Sequence, residues 1–159
     1  MKWDLDRTDF EILTLLRQDG RMTTRDIADQ VDLAPSTVHE RIDTLRNSGA
    51  LKGVHAEVDA KAIGAGIQAL IAVRLQKHSK DRVEDFRGHA LECEPVVSLY
   101  HLAGEHDFLI HVAVRDADHL RDFVLEQFTT RPEVQHLETW LIFEYAPTWE
   151  LPDVAPMSD

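Results

Sequence analysis

Between residues 36 and 46 the chain displays Ser36, Thr37, His39, Glu40, Arg41, Thr44 and Arg46 within little more than three helical turns. Hydroxyls and guanidiniums donate to phosphate oxygens and to acceptor edges of bases, and an imidazole can serve either way. Interleaved with them, Val38, Ile42 and Leu45 fall at i, i+4 and i+7, one apolar stripe that leaves the polar groups on the opposite face. Such a face can do nothing more than meet water, and its neighbours decide. A second constellation is Gly104-Glu105-His106-Asp107, with His101 nearby. Imidazole and carboxylate suit divalent metals or acid–base chemistry. Alternate strand residues point to opposite faces, however, so these histidines are expected at a surface or interface. No metal, cofactor or catalytic role is expected, because the chain has no Gly-rich phosphate loop, nucleophile motif or cysteine pair.

The elements that must position the first set are short. A helix over 24–31, capped by Thr23 or Thr24, buries Ile27, Ala28 and Val31. Asp32-Leu33-Ala34 has room only for a turn, and Pro35 sits at the first position of the next helix, where proline is tolerated. Gly49 supplies that helix's C-cap, and Leu51-Lys52-Gly53-Val54 begins an extended segment. Upstream, a helix from Thr8 to Gln18 offers Phe10, Ile12, Leu13, Leu15 and Leu16 as a third side. Three helices and a trailing strand make a winged helix-turn-helix over residues 1–57, whose second helix suits the major groove of double-stranded DNA.

Residues 58–66 form a glycine-containing hinge, after which the periodicity changes. Ile67, Ala69, Ile71, Val73 and Leu75 alternate as in a strand. Ser79 caps a helix carrying Val83, Phe86 and Ala90, and Val96 to Ala103 is strand-like again. Residues 104–107 form a hairpin turn into a strand from Phe108 to Val114. Asp116 caps a helix with Leu120, Phe123, Val124 and Phe128 inward, and Val134 to Tyr145 closes the order β-α-β-β-α-β. The fold class is therefore α+β, a winged helix-turn-helix followed by a ferredoxin-like βαββαβ domain over 67–146. The tail 147–159, with Pro147, Pro152 and Pro156, is expected to be at least partly disordered. If Phe108, Ile110, Val112 and Val114 meet the helices, then Leu109, His111 and Ala113 face the other way with Leu70, Ala72, Trp140 and Ile142. A face that apolar predicts a homodimer through Leu70, Leu109, Trp140 and Ile142, with the two-fold symmetry that a pseudo-palindromic operator requires.

Charge bounds the partners. The 159 residues carry a net −12. Residues 1–57 hold 8 basic and 11 acidic side chains, net −3, and residues 58–159 hold 9 and 18, net −9. Only 5 of the 17 basic residues are lysine, and an acidic, lysine-poor surface suits a cytoplasm at high salt. No apolar run approaches the length of a membrane span, and MKWDLDRTD carries acids where a signal peptide carries bases, so the expected location is cytoplasmic.

LDRTDFEIL at 5–13, DGR at 19–21, LAPSTVHERIDTL at 33–45, SGALKG at 48–53 and AGEHDFL at 103–109 together closely resemble the Lrp/AsnC (leucine-responsive, feast/famine) family of transcription regulators. The resemblance spans residues 4–145; the acidic, lysine-poor composition suits a halophilic archaeal source, the alternative being an acidic mesophilic protein. The resemblance implies a dimer, often assembled further into octamers, and an amino-acid effector bound between subunits near Gly104 and Asp107, with Glu105 and Thr139 beside it. Carried over, Ser36, Thr37, His39, Arg41 and Arg46 meet DNA. The alternative for Arg41 is an intradomain salt bridge to an acid such as Asp26 or Asp29, and Glu40 is expected to orient an arginine rather than read cytosine. Ala34 replaces a serine cap and Thr44 a basic residue, which both reduce phosphate contacts. Leu137-Glu138-Thr139-Trp140 keeps one hydroxyl where relatives carry several, so the effector's identity stays open. The competing functions are an effector-binding or assembly module with no DNA role, and a His/Asp metal-dependent activity.

Overall fold

The structure, a computed structural model, describes residues 4–76 and 79–152. The chain divides into two compact units, one of residues 1–57 with 146–159 and one of residues 58–145.

The first unit is built on α1 (Arg7–Gln18), α2 (Thr24–Val31) and α3 (Pro35–Asn47). The first two helices start at reciprocal caps. Asp6 accepts from the Asp9 amide at 2.8 Å, and Asp9 accepts from the Asp6 amide at 3.3 Å. Thr23 and Asp26 repeat the arrangement at α2. The turn into α3 passes through Asp32 in the left-handed region (φ 53°). Ala34 gives α3 no side-chain cap, and Gly49 leaves the helix at φ 78°, where a side chain would be strained. Ile12, Leu16, Ile27, Ala28, Val38, Ile42 and Leu45 form the core. Of the expected α1 set, Phe10, Leu13 and Leu15 are only half-buried, because α2 and α3 cover one side of α1 and leave its flanks at the rim.

The expected wing strand is not formed. Residues 52–59 are exposed and unladdered among the described residues, since a lone extended segment has no second strand to pair with. Its start nonetheless lies against the turn after α1, for a Cβ on Gly20 would collide with Val54 Cγ1. Of the tail expected to be disordered, 153–159 lies outside the described residues. Residues 146–152 belong to this unit, where the Arg17 guanidinium donates to the Thr148 carbonyl at 3.1 Å.

The second unit opens with a 3-10 turn at Ala60–Ile63 and runs β1 (Ile67–Leu75), α4 (Lys80–Glu92), β2 (Val96–His101), β3 (Phe108–Val114), α5 (Ala117–Val124) and β4 (Val134–Leu141). A π turn at Leu125–Thr129 extends α5 and sets Phe128 into the core. The antiparallel sheet has the order β2-β3-β1-β4. Its helix-covered face buries Ile71, Val73, Phe108, Ile110 and Val112 against Phe86, Ala90, Leu120, Phe123 and Phe128. Strict alternation along β3 follows from that one-sided cover. β4 ends at Leu141, short of the expected Tyr145, because its β1 partners run out at the strand's start. No described helix is long and apolar enough to cross a membrane.

Candidate functional site

The stripe Val38, Ile42 and Leu45 is buried, which turns Ser36, His39, Glu40, Thr44 and Arg46 to solvent and leaves Thr37 half-exposed. Packing of α3 on α1 and α2 therefore fixes which groups a duplex would meet. With no side-chain cap, the first amides of α3 remain open toward a phosphate, alongside the hydroxyls of Ser36 and Thr37.

Arg41 does not belong to that face. Its Nη1 donates to Asp6 at 2.8 Å and to Asp9 at 2.7 Å, in a half-buried site between α1 and α3. The ion-pair alternative is what forms, with partners other than Asp26 and Asp29. Position 41 lies on the flank of the buried stripe, one turn from Val38 and Leu45, and so faces the start of α1. Burial works to raise the Asp6 carboxyl, but the Asp9 amide and the Arg41 guanidinium outweigh it and hold Asp6 below its ordinary value. The hydrogen bonds to Asp9 and Asp6 raise Arg41 in turn. The two acids that cap α1 thus also grip α3, a double role that no local spacing signals.

The remaining cations are also shared. Asp43 lies 3.4 Å from His39 and 3.6 Å from Arg46, exposed contacts of modest strength that DNA phosphates can replace. Thr44 donates its hydroxyl to the Glu40 carbonyl at 2.9 Å. Arg21, Arg25 and Lys52 are exposed around the same unit.

In the second unit the hairpin loop 102–107 and the uncovered sheet face come together. Cross-strand pairs place Leu70, Ala72, Leu109, His111 and Trp140 on that face, and Ile142 continues it through its amide on the Gln68 carbonyl. Trp140 is 45% exposed and Ile142 half-buried. His111 pairs with the Gln68 side chain at 2.8 Å, and burial pushes its imidazole below the ordinary value. His106 packs edge-on against Trp140 and lies 3.6 Å from Glu138, which His136 also approaches at 3.2 Å. The His136 hydrogen bond, with the nearby His106, holds the exposed Glu138 carboxyl low.

The effector set is only partly assembled. Gly104 and Glu105 are exposed at the loop tip. Asp107, expected to hold an ammonium group, is 8% exposed, and its Oδ2 accepts from the Leu75 amide at 2.7 Å. Its own amide donates to the Val73 carbonyl, so this carboxylate anchors the hairpin to the end of β1. Thr139 pairs with the core residue Ile71, and so projects to the helix side of the sheet, opposite Glu138 and Trp140, which meet the loop. Period-two alternation separates it from the loop, and the expected grouping with Glu105 is not formed. His101 stacks on Phe108 on the helix side, away from His106, and no described group of three metal-ligating residues converges.

A helix-turn-helix head with an exposed second helix, joined to an antiparallel αβ domain, defines a DNA-binding protein with a separate ligand domain. The comparisons with known proteins specify it. Residues 5–52 match the winged helix-turn-helix DNA-binding family, and residues 68–146 the Lrp/AsnC ligand binding domain. The HTH-type transcriptional regulator AldR of Mycolicibacterium smegmatis is 39% identical over 142 residues, 89% of this chain and 83% of that protein. A transcriptional regulator of Neisseria meningitidis, solved in complex with L-Met, superposes with a TM-score of 0.84 at 30% identity, over 93% of this chain and 96% of that one. The AldR structure from Mycobacterium tuberculosis gives 0.75 at 34% identity, over 96% and 100%. This chain belongs to the Lrp/AsnC family: it is a DNA-binding transcription regulator, not an enzyme.

Proposed function

We propose that the protein acts in the cytoplasm as a homodimer that reads a pseudo-palindromic operator through α3 and responds to a small amino acid. The observation that carries the reading is the outward face of α3. Ser36, Thr37, His39 and Arg46 stand around an uncapped helix start while the opposite stripe is wholly buried. Ser36 and Thr37 contact backbone or bases, His39 faces the groove, and Arg46 exchanges Asp43 for phosphate or guanine. Arg41, held by two acids, sets the angle of α3 on α1 instead of touching the duplex.

Two copies join through the open sheet face around Leu70, Leu109, Trp140 and Ile142, which supplies the symmetry. Assembly beyond the dimer, to an octamer, adds further half-sites. The effector binds near the hairpin 104–107, where Gly104 lets backbone approach a ligand and Glu105 offers an exposed carboxylate to an ammonium group. An L-Met complex of a structural neighbour supports the amino-acid class.

A gel shift with the region upstream of the protein's own gene tests the DNA reading. Retarded, competitor-resistant complexes are expected, and Ser36→Ala with Thr37→Ala removes them. Calorimetry against the twenty amino acids tests the effector, with Glu105→Ala as the control, since Asp107→Ala would also loosen the hairpin.

A further inference from the structure

The centre of the outward face of α3 is occupied by an acid. A helix advances about 100° per residue, so Glu40 stands roughly 200° round from Val38 and about 160° from Ile42, directly opposite the buried stripe. Ser36 lies one turn before it and Thr44 one turn after, on the same ridge. Every other charged side chain of the helix has a partner: Arg41 holds Asp6 and Asp9, while His39 and Arg46 share Asp43. The Glu40 carboxylate is exposed and pairs with none of the described residues, the Thr44 hydroxyl going to its backbone carbonyl instead. The expected role of orienting an arginine is therefore not the one Glu40 has, because both arginines of α3 are held by other acids.

An unpaired carboxylate carried into a groove between two rows of phosphates is repelled unless its oxygens find donors. The major groove offers two kinds, the N4 amino group of cytosine and the N6 amino group of adenine. Adenine sets its N7 acceptor beside the amino group, which opposes a carboxylate; cytosine presents the amino group alone. We propose that Glu40 is a specificity-determining residue, accepting a hydrogen bond from the N4 amino group of one cytosine in each half-site. The proposal rests on α3 being the reading helix. It also explains how a head of net −3 selects its operator: the acid at the middle of the face penalises every duplex that lacks a cytosine there.

The test uses the full chain and an operator selected by the wild type from randomised duplexes. Affinities of wild type, Glu40→Gln and Glu40→Ala are then measured for that operator, for each single base-pair change, and for random duplex. Glu40→Gln is expected to move the preference at one symmetry-related position from cytosine to adenine, since an amide matches N6 and N7 together. Glu40→Ala is expected to level the preference at that position, a loss of roughly tenfold in discrimination, and to bind random duplex more tightly than wild type. If both variants change affinity for all sequences by one factor with every base preference intact, Glu40 only repels the duplex and the proposal is overturned. Ser36→Ala with Thr37→Ala separates this from the wider reading. Where that pair weakens operator binding and Glu40 variants keep the preferences, Glu40 alone is misassigned. Where no α3 variant alters binding or preference, α3 is not the reader.

Discussion

The two domains hold their functional groups on opposite kinds of surface. The outward face of α3 is polar, and its charges are mostly lent to neighbours through exposed ion pairs that a duplex can displace. The open face of the sheet is apolar, and its polar groups are paired among themselves, His111 with Gln68 and His106 with Glu138. A polar face is stable in water and waits for its ligand. An apolar sheet face is stable only when covered, which on the proposed reading is the task of a second copy. The difference teaches that the head can be understood one chain at a time, whereas the proposed dimer makes the effector domain a question about two.

The largest effect should come from breaking the apolar side. Leu109→Asp puts an unpaired charge into the sheet face and should cost several kcal/mol of association. Light scattering should then report half the dimer mass, with operator binding lost alongside; an unchanged mass would remove this face as the interface.

Next comes Arg41→Met, which keeps the aliphatic stem but strands Asp9, whose side chain is 15% exposed. A loss of roughly 1–2 kcal/mol in thermal unfolding is expected, from two charge-assisted bonds discounted for partial exposure. The slope of log affinity against log salt should stay at the wild-type value. A slope shallower by about 0.9 would show that Arg41 touches a phosphate after all.

Acid should separate the two domains. His111 is depressed by burial from an ordinary 6.5, so the unfolded chain protonates first as pH falls. The stability its neutral form contributes is complete above 6.5 and is lost as pH drops below that value toward the folded one. Asp6 is depressed from 3.8, so its contribution is complete above 3.8 and is lost only as pH falls below it. Unfolding followed separately by probes in each domain should show the effector domain weakening near neutrality and the head holding to about pH 4. Coincident acid transitions would contradict that order.

The smallest effect concerns salt. Of Arg21, Arg25, Arg41, Arg46 and Lys52, the cations a conventional basic patch would use, Arg41 is neutralised by two acids and Arg46 shares one, within a head of net −3. Few condensed ions are released on binding, and operator affinity should depend only shallowly on potassium chloride up to molar levels. A steep loss would show an ordinary basic interface and defeat the high-salt reading.

What could be read in the chain followed what is local. The stripe of α3, the alternation of β3, the cap at Asp116 and the turn through Gly49 depend on neighbours within a few residues, and all appear where their spacing puts them. The errors lie in contacts between distant positions. Nothing near Arg41 points to acids more than thirty residues upstream, and no local rule says that Asp107 turns inward to the β1 backbone or that Thr139 falls on the far side of the sheet. The trailing strand of the winged head is not formed for the same reason in reverse, since a strand-like segment needs a partner that the described chain does not supply.

Hydroxyl-radical footprinting of the selected operator tests the division of labour most directly. Wild type should protect two patches centred one helical turn, about 10 base pairs, or a multiple of it apart. Ser36→Ala with Thr37→Ala should erase both patches while light scattering still reports the dimer. Full protection by that variant would mean that the outward face of α3 is not what reads the DNA.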